Sequence, residues 1–209
     1  MSKAITSSAP NADPKGGQGA KNLLPEDGEA YLITNALSPP DADRAFDHLL
    51  ENIDWRQEHA TLFGRRIALP RLTAWYGEHD YGYSGIHHQA ASLPPLLMNL
   101  KAGVESLARV GFNSVLLNLY RKGRDSMGWH SDDEAALGAE PVIASLSLGA
   151  RRRFQFKHRT TDERISLDLP HGSCLIMRGR CQACWRHQLP KTAKPTGPRI
   201  NLTFRTVNA

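Results

Sequence analysis

Beyond Gly111 the sequence becomes a succession of short β-like runs, and that succession narrows the choice of fold more than any other feature. Alternating or continuous apolar stretches recur at 114–120, 141–148, 153–157, 164–169, 173–177 and 199–207, with Gly or Pro between most of them. Such runs bury their apolar faces only by pairing and stacking, as in an antiparallel sandwich or barrel. The part before Gly111 reads differently. Ala30-Tyr31-Leu32-Ile33 is one short β-like run. Ser38-Pro39-Pro40-Asp41 then starts a helix, with Phe46, Leu49, Leu50 and Ile53 at helical spacing behind it. A second helix is expected from about Pro94 to Arg109, where Leu96, Leu97, Leu100, Val104 and Leu107 line one side and Gly111 ends it. Helices first and strands afterwards make an α+β fold. Residues 1–24, rich in Ser, Gly, Ala, Asn and Lys, read as a flexible basic tail, and nothing divides 25–209 into two domains.

With 209 residues, 40% of them hydrophobic and 22% charged, the chain can build a sizeable core and is neither disordered throughout nor a coiled coil. No run approaches the roughly 18 apolar residues of a membrane span, and the N-terminus has no apolar signal-peptide core. A soluble, monomeric protein without membrane contact is expected, cytoplasmic, or nuclear in a eukaryotic cell. Lys and Arg outnumber Asp and Glu by 26 to 21, a net +5 with a pI near 9.3. That tilts toward a polyanionic partner without establishing one. Cys174, Cys181 and Cys184 are too few and too clustered for a disulfide framework, and reduced thiols suit the cytosol. Cys181, Cys184 and His187 hint at zinc, but no fourth ligand stands at finger-like spacing.

The last run carries the most chemistry. In Arg199-Ile200-Asn201-Leu202-Thr203-Phe204-Arg205, alternation puts Arg199, Asn201, Thr203 and Arg205 on one face and Ile200, Leu202 and Phe204 on the other. On a solvated edge the polar face would be unremarkable; inside a barrel it would clamp a carboxylate or phosphate. Asn118 and Tyr120 share a face in the same way, opposite Leu117 and Leu119, and would complete a pocket for a small acid. A buried, hydrogen-bonded Tyr is the plainer reading. His130-Ser131-Asp132 sets an imidazole and a carboxylate two residues apart, able to meet one metal ion. A distant third His would complete the two-His, one-carboxylate set of non-haem Fe(II) oxygenases. His158, His171 and His187 all lie downstream, and spacing does not choose between His171 and His187. Such an iron keeps positions open for a co-substrate and O2, and an arginine strand suits a dicarboxylate.

Taken in order, Asn118-x-Tyr120, His130-x-Asp132, His187 and Arg199-x-Asn201-x-Thr203-x-Arg205 resemble the AlkB-type Fe(II)/2-oxoglutarate dioxygenases that repair alkylated nucleic acid. The resemblance covers roughly residues 55–207 and is densest over Asn113–Ala150. It implies a double-stranded β-helix, or jelly roll, with N-terminal helices and a nucleotide-recognition lid at roughly 55–92. It also implies that His130, Asp132 and His187 hold Fe(II), which selects His187 over His171. Asn118, Tyr120, Arg199, Thr203 and Arg205 would hold 2-oxoglutarate, with Asn201 beside them. The implied reaction uses O2, decarboxylates 2-oxoglutarate to succinate and hydroxylates the N-alkyl carbon, which leaves as an aldehyde. The implied substrate is alkylated DNA of the N1-methyladenine and N3-methylcytosine type, closest to the double-stranded-DNA repair branch.

Further residues gain roles from the same resemblance. Tyr81-Gly82-Tyr83-Ser84-Gly85 matches a lid segment whose aromatics meet the extruded base: Tyr83 with His130 would sandwich it, and Tyr81 would bond its edge. Asp133 and Glu134 follow the iron motif, and Asp133 would favour a cationic base. Leu62-Phe63-Gly64-Arg65-Arg66 resembles a hairpin whose apolar tip wedges into the duplex, with Phe63 on a Gly64 turn and Arg65 on phosphate. Arg71, Lys191 and Lys194 are further phosphate candidates. Arg151-Arg152-Arg153 is more basic than a strand start needs, and reads as a backbone contact or a solvated turn. Two other classes compete: a hydroxylase of RNA, protein or a small molecule on the same core, and a nucleic-acid-binding module without catalysis. The aromatic and basic hairpins count against a protein or small-molecule hydroxylase, and the intact ligand and clamp sets against the binding module.

Overall fold

The computed structural model describes residues 21–62, 65–83 and 86–208. In chain order the elements begin with β1 (Glu29–Ile33), α1 (Pro39–Asn52), β2 (Arg56–Leu62), β3 (Arg65–Gly77), β4 (Tyr81–Tyr83), β5 (Ile86–His88) and α2 (Pro95–Ala108). They continue with β6 (Ser114–Tyr120), β7 (Met127–His130), β8 (Ile143–Gly149), β9 (Arg152–His158) and β10 (Arg164–Leu169). The last are β11 (Ser173–Arg178), the short α3 (Cys181–Cys184), β12 (Trp185–Leu189) and β13 (Arg199–Arg205).

One sheet has the order β1-β11-β8-β13-β6-β3-β2 and a second the order β10-β9-β12-β7, while β4 and β5 form a hairpin of their own. From β7 onward the chain passes back and forth between the two large sheets, the winding of a double-stranded β-helix. Two apolar layers result. Ala42, Ala45 and Leu49 of α1 and Leu97, Leu100 and Val104 of α2 pack on the outer face of the larger sheet, against Val115, Leu117, Leu146, Leu148, Ile200, Leu202 and Phe204. Leu116, Ile143, Leu175 and Met177 of that sheet's inner face meet Phe154, Phe156, Trp185 and Leu189 of the second. The central strand β13 is therefore buried on both faces, and its polar face looks between the sheets.

The helix starts and stops follow local chemistry. Ser38 caps α1 by accepting from the Asp41 amide at 3.3 Å, and the two prolines behind it occupy positions that need no N–H. Helix α2 ends at Ala108, three residues before Gly111: Arg109 takes the left-handed turn, at φ +58. The strands at 114–120 and 164–169 match their sequence runs. Strands β7 and β12 do not stand out in the sequence, because Gly128 and His130 interrupt the first and Arg186, His187 and Gln188 the second. Of the expected lid, β2 and β3 belong to the larger sheet, with Leu72–Gly77 paired along β6; only β4 and β5 stand apart. Among the described residues no helix is long and apolar enough to cross a membrane.

Candidate active site

Strands β7 and β12 lie side by side with His130 opposite His187, which brings together two imidazoles 57 residues apart in the chain. Asp132 is the second residue past the end of β7. Ligand atoms of His130, Asp132 and His187 all lie within 4.8 Å of one another. The ring of Phe154 stacks on His187 at 5.4 Å and lines the same cavity. Nδ1 of His130 donates to the Gly128 carbonyl at 2.8 Å, which leaves the lone pair on Nε2. Burial pushes the His187 imidazole down to about 3, helped by the neighbouring His130, and burial lowers His130 as well. Burial alone would raise the Asp132 carboxyl, but Arg205 and the two imidazoles outweigh it and hold it below its ordinary value. Two neutral imidazoles and one ionised carboxylate on one face fit Fe(II) in number, type and charge.

The polar face of β13 adjoins this triad. Arg205 donates to Asp132 Oδ1 at 3.1 Å, and both side chains are at most 3% exposed. Thr203 donates to the Asn201 amide oxygen at 3.1 Å, and Asn201 donates to Ser145 Oγ at 2.8 Å. At the far end, Arg199 donates to Ser147 Oγ at 2.9 Å and lies 5.4 Å over the Tyr120 ring. No carboxylate among the described residues pairs with Arg199. Asn118 and Tyr120 of β6 complete the wall of a cavity that the triad also lines. The polar face of β13 thus lies inside the barrel and not on a solvated edge.

Other expectations shift. Arg71, expected on phosphate, is 3% exposed and lines the same cavity, its Nε donating to Asn118 Oδ1 at 2.8 Å. His171 is on the helix side, accepting from the Gly149 amide at 2.7 Å, with Asp43 at 3.1 Å. His158 clusters with Asp27 and Cys184 within 4.8 Å, but its Nδ1 accepts from the Thr161 amide at 3.1 Å. The proton then sits on Nε2, leaving no lone pair for a metal. His187 stands with His130 and Asp132 and not with Cys181 and Cys184, so the zinc arrangement is not formed. Asp133 pairs with Arg159 at 2.6 Å beside the triad, and Glu134 leads into a 3-10 turn at Ala135–Leu137. Arg65 is exposed on β3. Phe63 and Gly64, and the side chains of Tyr81 and Tyr83, lie outside the described residues.

Three participants escaped the sequence. Gln182 of α3, 1% exposed, accepts the Asp132 amide on its Oε1 at 3.0 Å. Arg159 reaches Asp133 from the β9–β10 turn, and Phe154 reaches His187 from β9. Their only signal would have been the pairing of β9, β12 and β7, which no local pattern announces.

Two stacked antiparallel sheets that enclose two histidines, a carboxylate and a buried guanidinium define the jelly-roll class of non-haem iron sites. The chain belongs to the 2OG-Fe(II) oxygenase superfamily, whose profile matches residues 29–205. That superfamily uses Fe(II), 2-oxoglutarate and O2. The chain is 44% identical over 177 residues to alpha-ketoglutarate-dependent dioxygenase alkB homolog 3 of Bos taurus, covering 80% of this chain and 62% of the relative. It is 43% identical to the Homo sapiens protein of the same name, over 84% of this chain and 65% of the relative. It thus spans a little under two thirds of these curated relatives. To DNA oxidative demethylase ALKBH2 of Mus musculus it is 34% identical, covering 88% of this chain and 82% of that one. The solved structure of OsALKBH1 shares the fold at TM-score 0.60 and 19% identity, covering 85% of this chain and 97% of the other.

Proposed function

We propose that this chain is an oxidative demethylase of alkylated bases of the N1-methyladenine and N3-methylcytosine type in DNA, coupled to decarboxylation of 2-oxoglutarate. The observation that carries the reading is one cavity that joins His130, Asp132 and His187 to a buried guanidinium, Arg199, with no carboxylate partner among the described residues. The names of the relatives, dioxygenase and DNA oxidative demethylase, support it. In this reading His130, Asp132 and His187 hold Fe(II); Asn118, Tyr120, Arg199, Thr203 and Arg205 hold 2-oxoglutarate, with Asn201 beside them. Bound iron supplies activation of O2 at the expense of the 2-oxo acid, which leaves as succinate and CO2 while the N-alkyl carbon is hydroxylated. That carbon then departs as an aldehyde and the base regains its unmodified form.

The chain's own part is positioning, charge and exclusion of water. Arg199 meets a carboxylate of the co-substrate by charge-assisted hydrogen bonds. Arg205 keeps Asp132 ionised and aimed, and the Gly128 carbonyl fixes the tautomer of His130. Arg71 orients the Asn118 amide. Asp133 and Glu134 place negative charge where a cationic base arrives, and Arg159 holds Asp133 there. Tyr83 and His130 sandwich the flipped base, and Tyr81 bonds its edge. Phe63, on the Gly64 turn, fills the gap left in a duplex, and Arg65 meets phosphate.

The test is incubation with Fe(II), 2-oxoglutarate and a panel of methylated DNA and RNA oligonucleotides, with the base followed by mass. Loss of one methyl group per succinate formed is expected. Succinate formed with every oligonucleotide unchanged would move the substrate to another class.

A further inference from the structure

We propose that Gln182 is a positioning residue for the metal carboxylate: it fixes the main chain of Asp132 against the strand that carries His187. The three triad residues are not held alike. His130 and His187 face each other on paired strands, so the ladder between β7 and β12 sets their spacing. Asp132 lies outside that ladder, two residues past the end of β7, and is 2% exposed. Arg205 steadies its side chain through Oδ1, which does not by itself fix the backbone behind it. The backbone is held from elsewhere: the Asp132 N–H donates to Gln182 Oε1 at 3.0 Å.

Gln182 is itself tightly placed. It belongs to α3, the single turn between β11 and β12, and stands five residues before His187. Both ends of that turn are tied to the segment preceding β1. Arg180 Nη1 donates to Asp27 Oδ1 at 2.8 Å, and Trp185 Nε1 donates to the Glu26 carbonyl at 3.1 Å. Gly28, at φ +139, lies so close to the turn that a Cβ there would come within 2.6 Å of the Cys181 nitrogen. One hydrogen bond thus carries the placement of α3 across to the loop that holds Asp132.

The surroundings of the amide show what it is for. Gln182 is 1% exposed, and among the described residues the acceptors within reach of its Nε2 are sulfurs, Met177 Sδ at 3.6 Å and Cys181 Sγ at 4.0 Å. Sulfur accepts weakly, so only the oxygen end suits the Asp132 N–H. A buried amide with such poor partners for its own N–H groups serves core packing less well than an apolar side chain of the same length. The contact with Asp132 explains the glutamine; the core does not. Partners one bond removed from a metal orient its ligands and sustain its affinity.

This inference rests on the assignment of the metal to His130, Asp132 and His187, and its test reads metal binding without turnover. Co(II), whose visible absorption reports its ligand set, would be titrated into the metal-free full-length protein. Gln182→Met keeps the reach of the side chain and loses the oxygen. It should weaken Co(II) about 10- to 100-fold and change the visible spectrum. Gln182→Glu keeps an oxygen acceptor at the same reach and should restore both toward wild type. Without metal, Gln182→Met should melt near the wild-type temperature, because a stranded Asp132 N–H and a removed amide act in opposite directions. Leu49→Ala, a core truncation on α1, should lower the melting temperature and leave the Co(II) affinity and spectrum unchanged. Wild-type affinity and spectrum in Gln182→Met would overturn the role, as would an equal loss in Gln182→Glu or a comparable loss in Leu49→Ala. Co(II) binding that His130→Ala leaves intact would overturn the metal assignment itself, and this inference with it.

Discussion

Arg199 and Arg205 stand at opposite ends of one strand, each 2% exposed, and the protein treats them in opposite ways. Arg205 bonds Asp132 at 3.1 Å and holds that carboxyl below its ordinary value. Arg199 has a serine hydroxyl and an aromatic ring, and burial pushes its guanidinium down to about 10. Taking a charge out of water costs several kcal/mol unless a partner offsets it. At Arg205 the offset includes an internal carboxylate, so the residue serves the architecture of the triad besides its proposed place on 2-oxoglutarate. At Arg199 no carboxylate among the described residues provides one, which is why the proposed function assigns that offset to a bound anion. Burial alone does not separate the two; partnership does.

The strongest way to break this contrast is at the paired end. Asp132→Ala should abolish Fe(II) binding in anaerobic equilibrium dialysis. It should also cost about 3–5 kcal/mol in chemical denaturation, because Arg205 is left buried without its anion. His130→Ala and His187→Ala should lose the metal as well, and His171→Ala should keep it. Retained metal in the three triad variants would remove the site.

At the unpaired end the effect should divide differently. Arg199→Ala should weaken 2-oxoglutarate binding by on the order of 2–5 kcal/mol, with folding stability equal to or above wild type. Arg205→Ala should lower stability, since it strands Asp132. Equal destabilisation by both substitutions would erase the difference between them.

How much of this was legible in the sequence depended on period. Alternation in Arg199–Arg205 and Ser114–Tyr120 placed the clamp residues on common faces, and the structure keeps them together because β13 and β6 are neighbours. Ser38 and the following prolines marked the start of α1 through purely local chemistry. What stayed hidden was non-local. Strands β7 and β12 carry two of the proposed ligands, His130 and His187, and such polar residues erase the apolar pattern that would reveal a strand. Choosing His187 over His171 needed either the family resemblance or the pairing of His187 with His130. Arg71 misled for a physical reason: an arginine beside a basic hairpin reads as a surface cation, and only the pairing of β3 with β6 turns it inward onto Asn118.

Smaller effects extend the contrast between the enclosed site and the surface proposed to meet nucleic acid. Phe63→Ala should slow repair of a lesion inside a duplex by up to a few kcal/mol in barrier, and hardly change repair of the same lesion in a single strand. An equal loss on both substrates would make Phe63 a core residue. The smallest expectation concerns the thiols. Burial pushes Cys174 and Cys181 up to about 12, so at pH 8 both stay protonated, while Cys184 is only half-buried. A disulfide reagent should therefore modify one thiol in the native protein and three after unfolding; rapid native modification of Cys174 would contradict its burial.

The most direct measurement is anaerobic isothermal titration of 2-oxoglutarate into the Fe(II)-loaded protein, wild type beside Arg199→Ala. One equivalent should bind to wild type, binding should vanish when a chelator strips the metal, and Arg199→Ala should bind far more weakly while melting at the wild-type temperature or above. Binding of 2-oxoglutarate that survives both the chelator and the loss of Arg199 would contradict the assignment of this cavity.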